Sequence, residues 1–73
     1  MPDFLVVLRG YGRAEVDAAV TRAEEGLGAA DRAIRQAVAA ELRGSRFTVH
    51  LRGYDRAQVD GYLTKVIDQL EGQ

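Results

Sequence analysis

The sequence predicts a small α+β domain, two short strands packed by helices, and three observations lead to it. A phrase occurs twice: Phe4–Leu27 reads FLVVLRGYGRAEVDAAVTRAEEGL and Phe47–Leu70 reads FTVHLRGYDRAQVDGYLTKVIDQL, offset by 43 positions without a gap. Each copy opens on a strand-like apolar run and continues with a helical apolar period. The segment between the copies has a helical period of its own. About half the aligned positions are identical, and they cluster on L-R-G-Y-x-R-A-x-V-D. Two copies are too few for a solenoid. They suffice for one domain, 1–73, with repeats 4–27 and 47–70 joined by a helix over 29–43. A pseudo-two-fold axis with antiparallel strands is the expected arrangement; an all-α fold with extended arms is the alternative.

Phe4 to Leu8 is continuously apolar and rich in β-branched residues, which predicts a strand. Arg9-Gly10-Tyr11-Gly12 punctuates it as a strand-to-helix turn, with Gly10 supplying backbone freedom. Arg13 to Leu27 predicts a helix whose seam is Val16, Val20, Ala23 and Leu27, and Gly26 and Gly28 bracket its end. Ala29 to Arg43 predicts a second helix, with Ala30, Ile34, Val38 and Leu42 every fourth residue and Ala33 and Ala37 beside them. Gly44-Ser45 ends it.

Phe47 to Leu51 predicts the second strand, with Phe47, Val49 and Leu51 on a dry face and Thr48 and His50 on a wet one. Leu5 and Val7 stand in the first strand where Thr48 and His50 stand in the second. They call for a cover, either the middle helix or a second subunit that extends the sheet. Gly53 and Tyr54 repeat the turn. Asp55 stands at an N-cap with Gln58 three residues on, a capping-box spacing in which the Gln reaches back to the cap. The last helix, Arg56 to about Leu70, carries Val59, Leu63, Val66 and Leu70, broadened by Tyr62 and Ile67. The seams through Val16, Val20, Val59, Leu63, Val66 and Leu70 serve either core packing or association.

A chain of 73 residues with 47% hydrophobic and 29% charged content is a folded domain short of core. Such domains lean on disulfides, metals or self-association. Without a cysteine the first is excluded, and the lone His50 cannot build a zinc site. Self-association, as a homodimer, remains. A net charge of −1 argues against a nucleic-acid partner. No apolar run approaches the roughly 20 residues of a membrane span. The N-terminus lacks signal-peptide features, so the chain reads as complete and cytoplasmic. No nucleophile stands beside a base: Ser45 is the only serine, and Asp17, Asp60, Glu24 and Glu25 read as a solvated face. No enzyme activity and no cofactor are expected.

From Phe47 to Leu63 the second repeat reads F-x-x-x-L-R-G-Y-D-x-x-x-V-D-x-x-L, carried by Phe47, Leu51, Arg52, Gly53, Tyr54, Asp55, Val59, Asp60 and Leu63. This resembles the N-terminal signature of DivIVA, the bacterial cell-division and polar-growth scaffold. Repeat one matches less closely, with Gly12 in place of the Asp. In that family the motif forms a turn between an extended arm and a long coiled-coil helix, and a hydrophobic–arginine pair at its tip is associated with membrane contact. The resemblance places that pair at Leu51-Arg52 and, through the repeat, at Leu8-Arg9. It implies a self-associating scaffold module contacting another protein or the inner membrane face. Two features depart from the family: Leu replaces a larger tip residue, and the helix ends about two heptads after the motif. The residues alone offer a different reading of Arg9 and Arg52, as braces paired with Asp17 or Asp60. Tyr11 and Tyr54 are expected to pack on the first helical turn with their hydroxyls in water. His50 is expected to face solvent. The other functional reading is a structural accessory subunit in which the repeated motif builds only the fold and its dimer.

Overall fold

The element order is β-α-α-β-α: β1 (Val6–Tyr11), α1 (Arg13–Gly28), α2 (Arg32–Arg43), β2 (Val49–Tyr54) and α3 (Arg56–Glu71). The computed structural model describes residues 2–72. The class is α+β, as the two apolar runs and three helical periods predict.

The strands form a two-stranded ribbon in which Val6, Val7, Leu8, Gly10 and Tyr11 face Tyr54, Gly53, Arg52, His50 and Val49. Positions rise on one strand as they fall on the other, which is antiparallel. The bonds from the Gly12 N–H to the Thr48 carbonyl and from the Asp55 N–H to the Leu5 carbonyl extend the same register. A further pairing, Tyr11 with Tyr54, departs from that register and, with the backbone contact of Gly10 and Gly53, marks where the two segments cross. Both strands begin two residues later than the apolar runs predict, and they contain the R-G-Y motif instead of ending before it. The physical reason is the use made of the aromatic residues. The ring of Phe4 lies 5.4 Å from that of Tyr54, and Phe47 lies 5.2 Å from Tyr11. The phenylalanines pack ahead of the strands while the motif itself makes the ladder.

The core is Val16, Val20 and Ala23 of α1, Val38, Ala39 and Leu42 of α2, and Val59, Leu63, Val66 and Leu70 of α3. The two repeat seams are thus interior. Leu27 is only half-buried, and Gly26 takes its place: a Cβ there would lie 2.8 Å from Val38 Cγ1, so α2 crosses α1 at this glycine. α2 departs from its predicted start. Asp31 caps it, accepting the Ala33 N–H at 2.8 Å, and Ala29 is extended. Its every-fourth-residue row also fails at one end: Ile34 is 47% exposed, and Ala30, Ala33 and Ala37 are exposed, while Ala39 is buried. Four residues overshoot a 3.6-residue turn by about 40°, so such a row winds out of the interface.

Arg35, which no periodicity singles out, joins the far ends of α1 and α3. Its guanidinium donates to the Leu27, Ala29 and Gln69 carbonyls. A cation is favourable at helix C-termini. The same contacts show that α1 and α3 run in one direction, away from the ribbon. Surface ion pairs tie α2 to both: Arg22 with Glu41, and Arg43 with Glu71. The body measures 38 × 18 × 15 Å. A 16-residue helix spans about 24 Å, so the ribbon projects beyond the N-termini of α1 and α3.

Candidate interaction surface

The ribbon is held together by backbone contact at two glycines. A Cβ on Gly10 would lie 2.3 Å from the Gly53 carbonyl carbon, and one on Gly53 would lie 2.2 Å from the Tyr11 carbonyl oxygen. Neither glycine has a positive φ; the left-handed residue is Arg9, at φ 58°. The motif therefore needs glycine for close approach, not for turn flexibility as the sequence suggests. The unusual backbone at Arg9 is local strain, roughly 1–2 kcal/mol for a non-glycine residue.

The tyrosine hydroxyls and the backbone groups ahead of each strand are bonded to the other repeat. The Tyr11 hydroxyl donates to Asp60 at 3.0 Å, and the Tyr54 hydroxyl donates to Asp17 at 2.9 Å. The Leu5 N–H donates to Gln58 Oε1 at 2.8 Å, and the Thr48 N–H donates to Glu15 Oε1 at 3.1 Å. Asp55 caps α3 as predicted, accepting the Ala57 and Gln58 N–H groups. The capping box stays open, however. Gln58 takes the Leu5 N–H while the Asp55 N–H donates to the Leu5 carbonyl, so the start of α3 grips both backbone groups of one residue. Gly12 and Glu15 at the start of α1 grip Thr48 in the same way. Gly12 offers no side-chain cap.

These bonds overturn one expectation and refine another. Asp17 and Asp60 are partnered by tyrosine rather than by Arg9 or Arg52, and the tyrosine hydroxyls expected in water are anchored to carboxylates, Tyr11 in an exposed bond and Tyr54 in a part-buried one. The Asp17 bond, with burial, raises the Tyr54 pKa above its usual value of 10.0; burial first, then the Asp60 bond, raises that of Tyr11. A group whose folded pKa is raised contributes stability below its unfolded pKa and loses it as pH rises through the folded one. Stability is therefore expected to fall above about pH 10. Tyr54→Phe should flatten that fall, measured as the urea midpoint against pH; an unchanged slope would remove the linkage from Tyr54.

What the motif leaves outside is apolar and cationic. Leu5 is 62% exposed, Leu8 68% and Leu51 78%, joined by Val6 and Val49. The dry strand face expected from Phe47, Val49 and Leu51 is thus half-buried only at Phe47, and Leu5 is not covered by α2. The reason is that α2 lies against α1 and α3 instead of the ribbon. Leu8 pairs with Arg52 in the ladder, so the two Leu-Arg tips sit side by side. Among the described residues the side chains of Arg9, Arg13, Arg52 and Arg56 make no hydrogen bond or ion pair. Two shallow grooves flank the ribbon, one bringing Arg9 to Arg56 and the other Arg52 to Arg13. Sequence reasoning did not single out Arg13 and Arg56 as members of this surface, because their neighbours come from the opposite repeat. His50 is exposed, 3.8 Å from Glu15.

The other predicted seam residues, Val16, Val20, Val59, Leu63, Val66 and Leu70, are all interior to the single chain. A cleft of about 610 Å³ lies between the end of α2, Phe47 and α3. It is lined by both signs of charge, and Asp60 within it is already held by Tyr11. Among the described residues no group of three or more His, Asp or Glu could hold a metal ion, and no helix is long and apolar enough to cross a membrane. Comparison with protein-family models, curated proteins and solved structures found no match.

Proposed function

We propose that this chain is a non-enzymatic interaction module of the DivIVA type, whose ribbon tip contacts the anionic inner face of a membrane in a cell-division or polar-growth scaffold. One observation carries the reading: Leu8 and Leu51 are the most exposed of the large apolar residues, and each is followed by an arginine that has no partner among the described residues. Gly10, Gly53, Tyr11, Tyr54 and Asp55 of the shared motif are engaged within the fold. The Leu-Arg tips, with Arg13 and Arg56 beside them, are what remains for a partner. Burying a leucine contributes about 1.5–3 kcal/mol, and an arginine near an anionic leaflet adds about 1 kcal/mol. One tip is marginal; two adjacent tips act together.

Co-sedimentation with vesicles tests this. Binding to anionic but not neutral vesicles is expected, and it should be lost in Arg9→Glu/Arg52→Glu, which keeps its helical circular dichroism. Failure to bind anionic vesicles overturns the membrane reading. A second reading is a structural accessory subunit, favoured by the reciprocal bonding that uses most of the motif inside the fold. A folded double Glu variant that binds neither kind of vesicle, from a parent that also binds neither, leaves this second reading standing.

A further inference from the structure

We infer that the groove between the start of α1 and β2, which Arg13 and Arg52 both line, is a site for a single phosphate group, and that the matching groove between the start of α3 and β1 is not. The inference shares the ribbon with the proposed membrane contact and rests on that reading only for the source of the phosphate. A lipid headgroup and a soluble phosphoester carry the same chemistry. The two grooves are built alike. Each takes a tip arginine from one repeat and the first helical residue of the other: Arg52 with Arg13, and Arg9 with Arg56. None of these four side chains makes a hydrogen bond or ion pair among the described residues. Planar guanidinium groups match phosphate oxygens two at a time.

What separates the grooves is the rest of their lining, which changes at two repeat-equivalent positions. Gly12 stands where the second repeat has Asp55, and His50 where the first has Val7. The Arg9–Arg56 groove therefore contains Asp55 and Asp60, two carboxylates against two guanidinium groups. The Arg13–Arg52 groove contains one carboxylate, Glu15, whose oxygens accept from the Thr48 N–H and hydroxyl. His50 adds a ring N–H, a donor in either protonation state. Gly12 makes room for it: a Cβ there would lie 2.7 Å from His50 Nε2. The missing side chain thus removes a negative charge and lets the imidazole approach the backbone. Exposed charges more than about 8 Å apart are largely screened at physiological salt. The lining therefore decides anion affinity, and the net charge of −1 does not. The cleft beside Phe47 is poorer for an anion. It holds Asp60 and Asp68, and its Arg43 is already paired with Glu71.

His50 is the only histidine, so its ring resonances read the groove directly. The full chain is titrated at constant pH with inorganic phosphate, and separately with chloride to equal ionic strength, while the imidazole signals are followed by NMR. A saturable displacement with phosphate and none with chloride is expected. In Arg13→Gln/Arg52→Gln the apparent affinity should fall about tenfold or more, since hydrogen bonds to charged groups are the strong ones. Arg9→Gln/Arg56→Gln should keep the parent's affinity. Arg13→Gln alone, which leaves both Leu-Arg tips intact, should weaken binding in the same direction as the first pair. Far-ultraviolet circular dichroism confirms that each variant is folded. Equal loss in the two double variants, or a phosphate response no larger than chloride's, overturns the inference. Vesicles of phosphatidylglycerol separate the sources. If they bind the chain, more weakly after Arg13→Gln/Arg52→Gln than after Arg9→Gln/Arg56→Gln, the phosphate is a lipid's. If they do not bind while inorganic phosphate does, the membrane reading fails and the groove stands as a site for a soluble phosphoester.

Discussion

Gly53→Ala is expected to leave the chain largely unfolded at neutral pH. The added methyl would lie 2.2 Å from the Tyr11 carbonyl oxygen and 2.6 Å from the Gly10 carbonyl group. These are backbone atoms, which cannot rotate aside, so the strands must separate. Separation forfeits the ladder and strands the tyrosine–aspartate bonds. A domain under about 70–80 residues rarely holds more than 3–5 kcal/mol in its core, so a loss of about 5 kcal/mol, at the upper end of single-substitution effects, leaves half or more of the chains unfolded. Gly10→Ala should behave alike. Gly61→Ala is the control. It lies exposed in α3, and a Cβ there meets nothing within 4 Å. Glycine inside a helix costs about 0.5–1 kcal/mol relative to alanine, so this change should stabilise. Urea midpoints decide the matter, and a Gly53→Ala midpoint equal to that of the parent would remove close approach as the reason for the glycine.

Leu70→Ala is the second change with a large expected effect. Leu70 is 1% exposed at the end of α3, and its Cδ2 lies 3.3 Å from the Cβ position of Gly26. Truncating a buried leucine costs about 2–5 kcal/mol through lost transfer energy and the cavity left behind. Leu51→Ala removes the same atoms from a side chain 78% exposed, where surface changes stay within about 0.5 kcal/mol. Thermal unfolding of the two variants should separate them widely. Equal effects would mean that the ribbon tip is packed in solution, and with it the case for Leu51 as a contact residue would fall. If the two separate, Leu51→Ala also becomes the better probe of binding, since it leaves the fold intact.

The two expected results also distinguish the parts of the motif. The glycines, tyrosines and Asp55 belong to the fold, and the Leu-Arg pairs belong to the surface. A sequence shows these residues as one continuous phrase. They divide only once the strands cross, because close approach at Gly10 and Gly53 turns the preceding residues outward.

Much of the architecture is local and was therefore legible. The helical periods around Val16 and Val59 mark amphipathic helices whatever surrounds them. Asp55 caps α3 through its own neighbours, two and three residues on. The repeat itself announces two strand–helix units. The limits of legibility also have physical causes. The apolar run Phe4–Leu8 identifies a strand nearby but not its register, because register is set by the partner strand. Gln58 has capping-box spacing, but a closer backbone donor, Leu5, is delivered by the other repeat. Arg35 carries no periodic signal, since its carbonyl partners lie on two other segments.

By itself the sequence determined that two equivalent strand–helix units exist, where their helices run and which faces are apolar. Only the tertiary structure decided that each unit is completed by the other. Two copies of one phrase place Tyr, Asp, Gly and an N-cap at identical spacings, so no spacing can tell whether Tyr11 meets Asp17 or Asp60. The crossing of the strands at Gly10 and Gly53 makes that choice: it carries each tyrosine onto the opposite helix and leaves Leu8, Arg9, Leu51 and Arg52 outside.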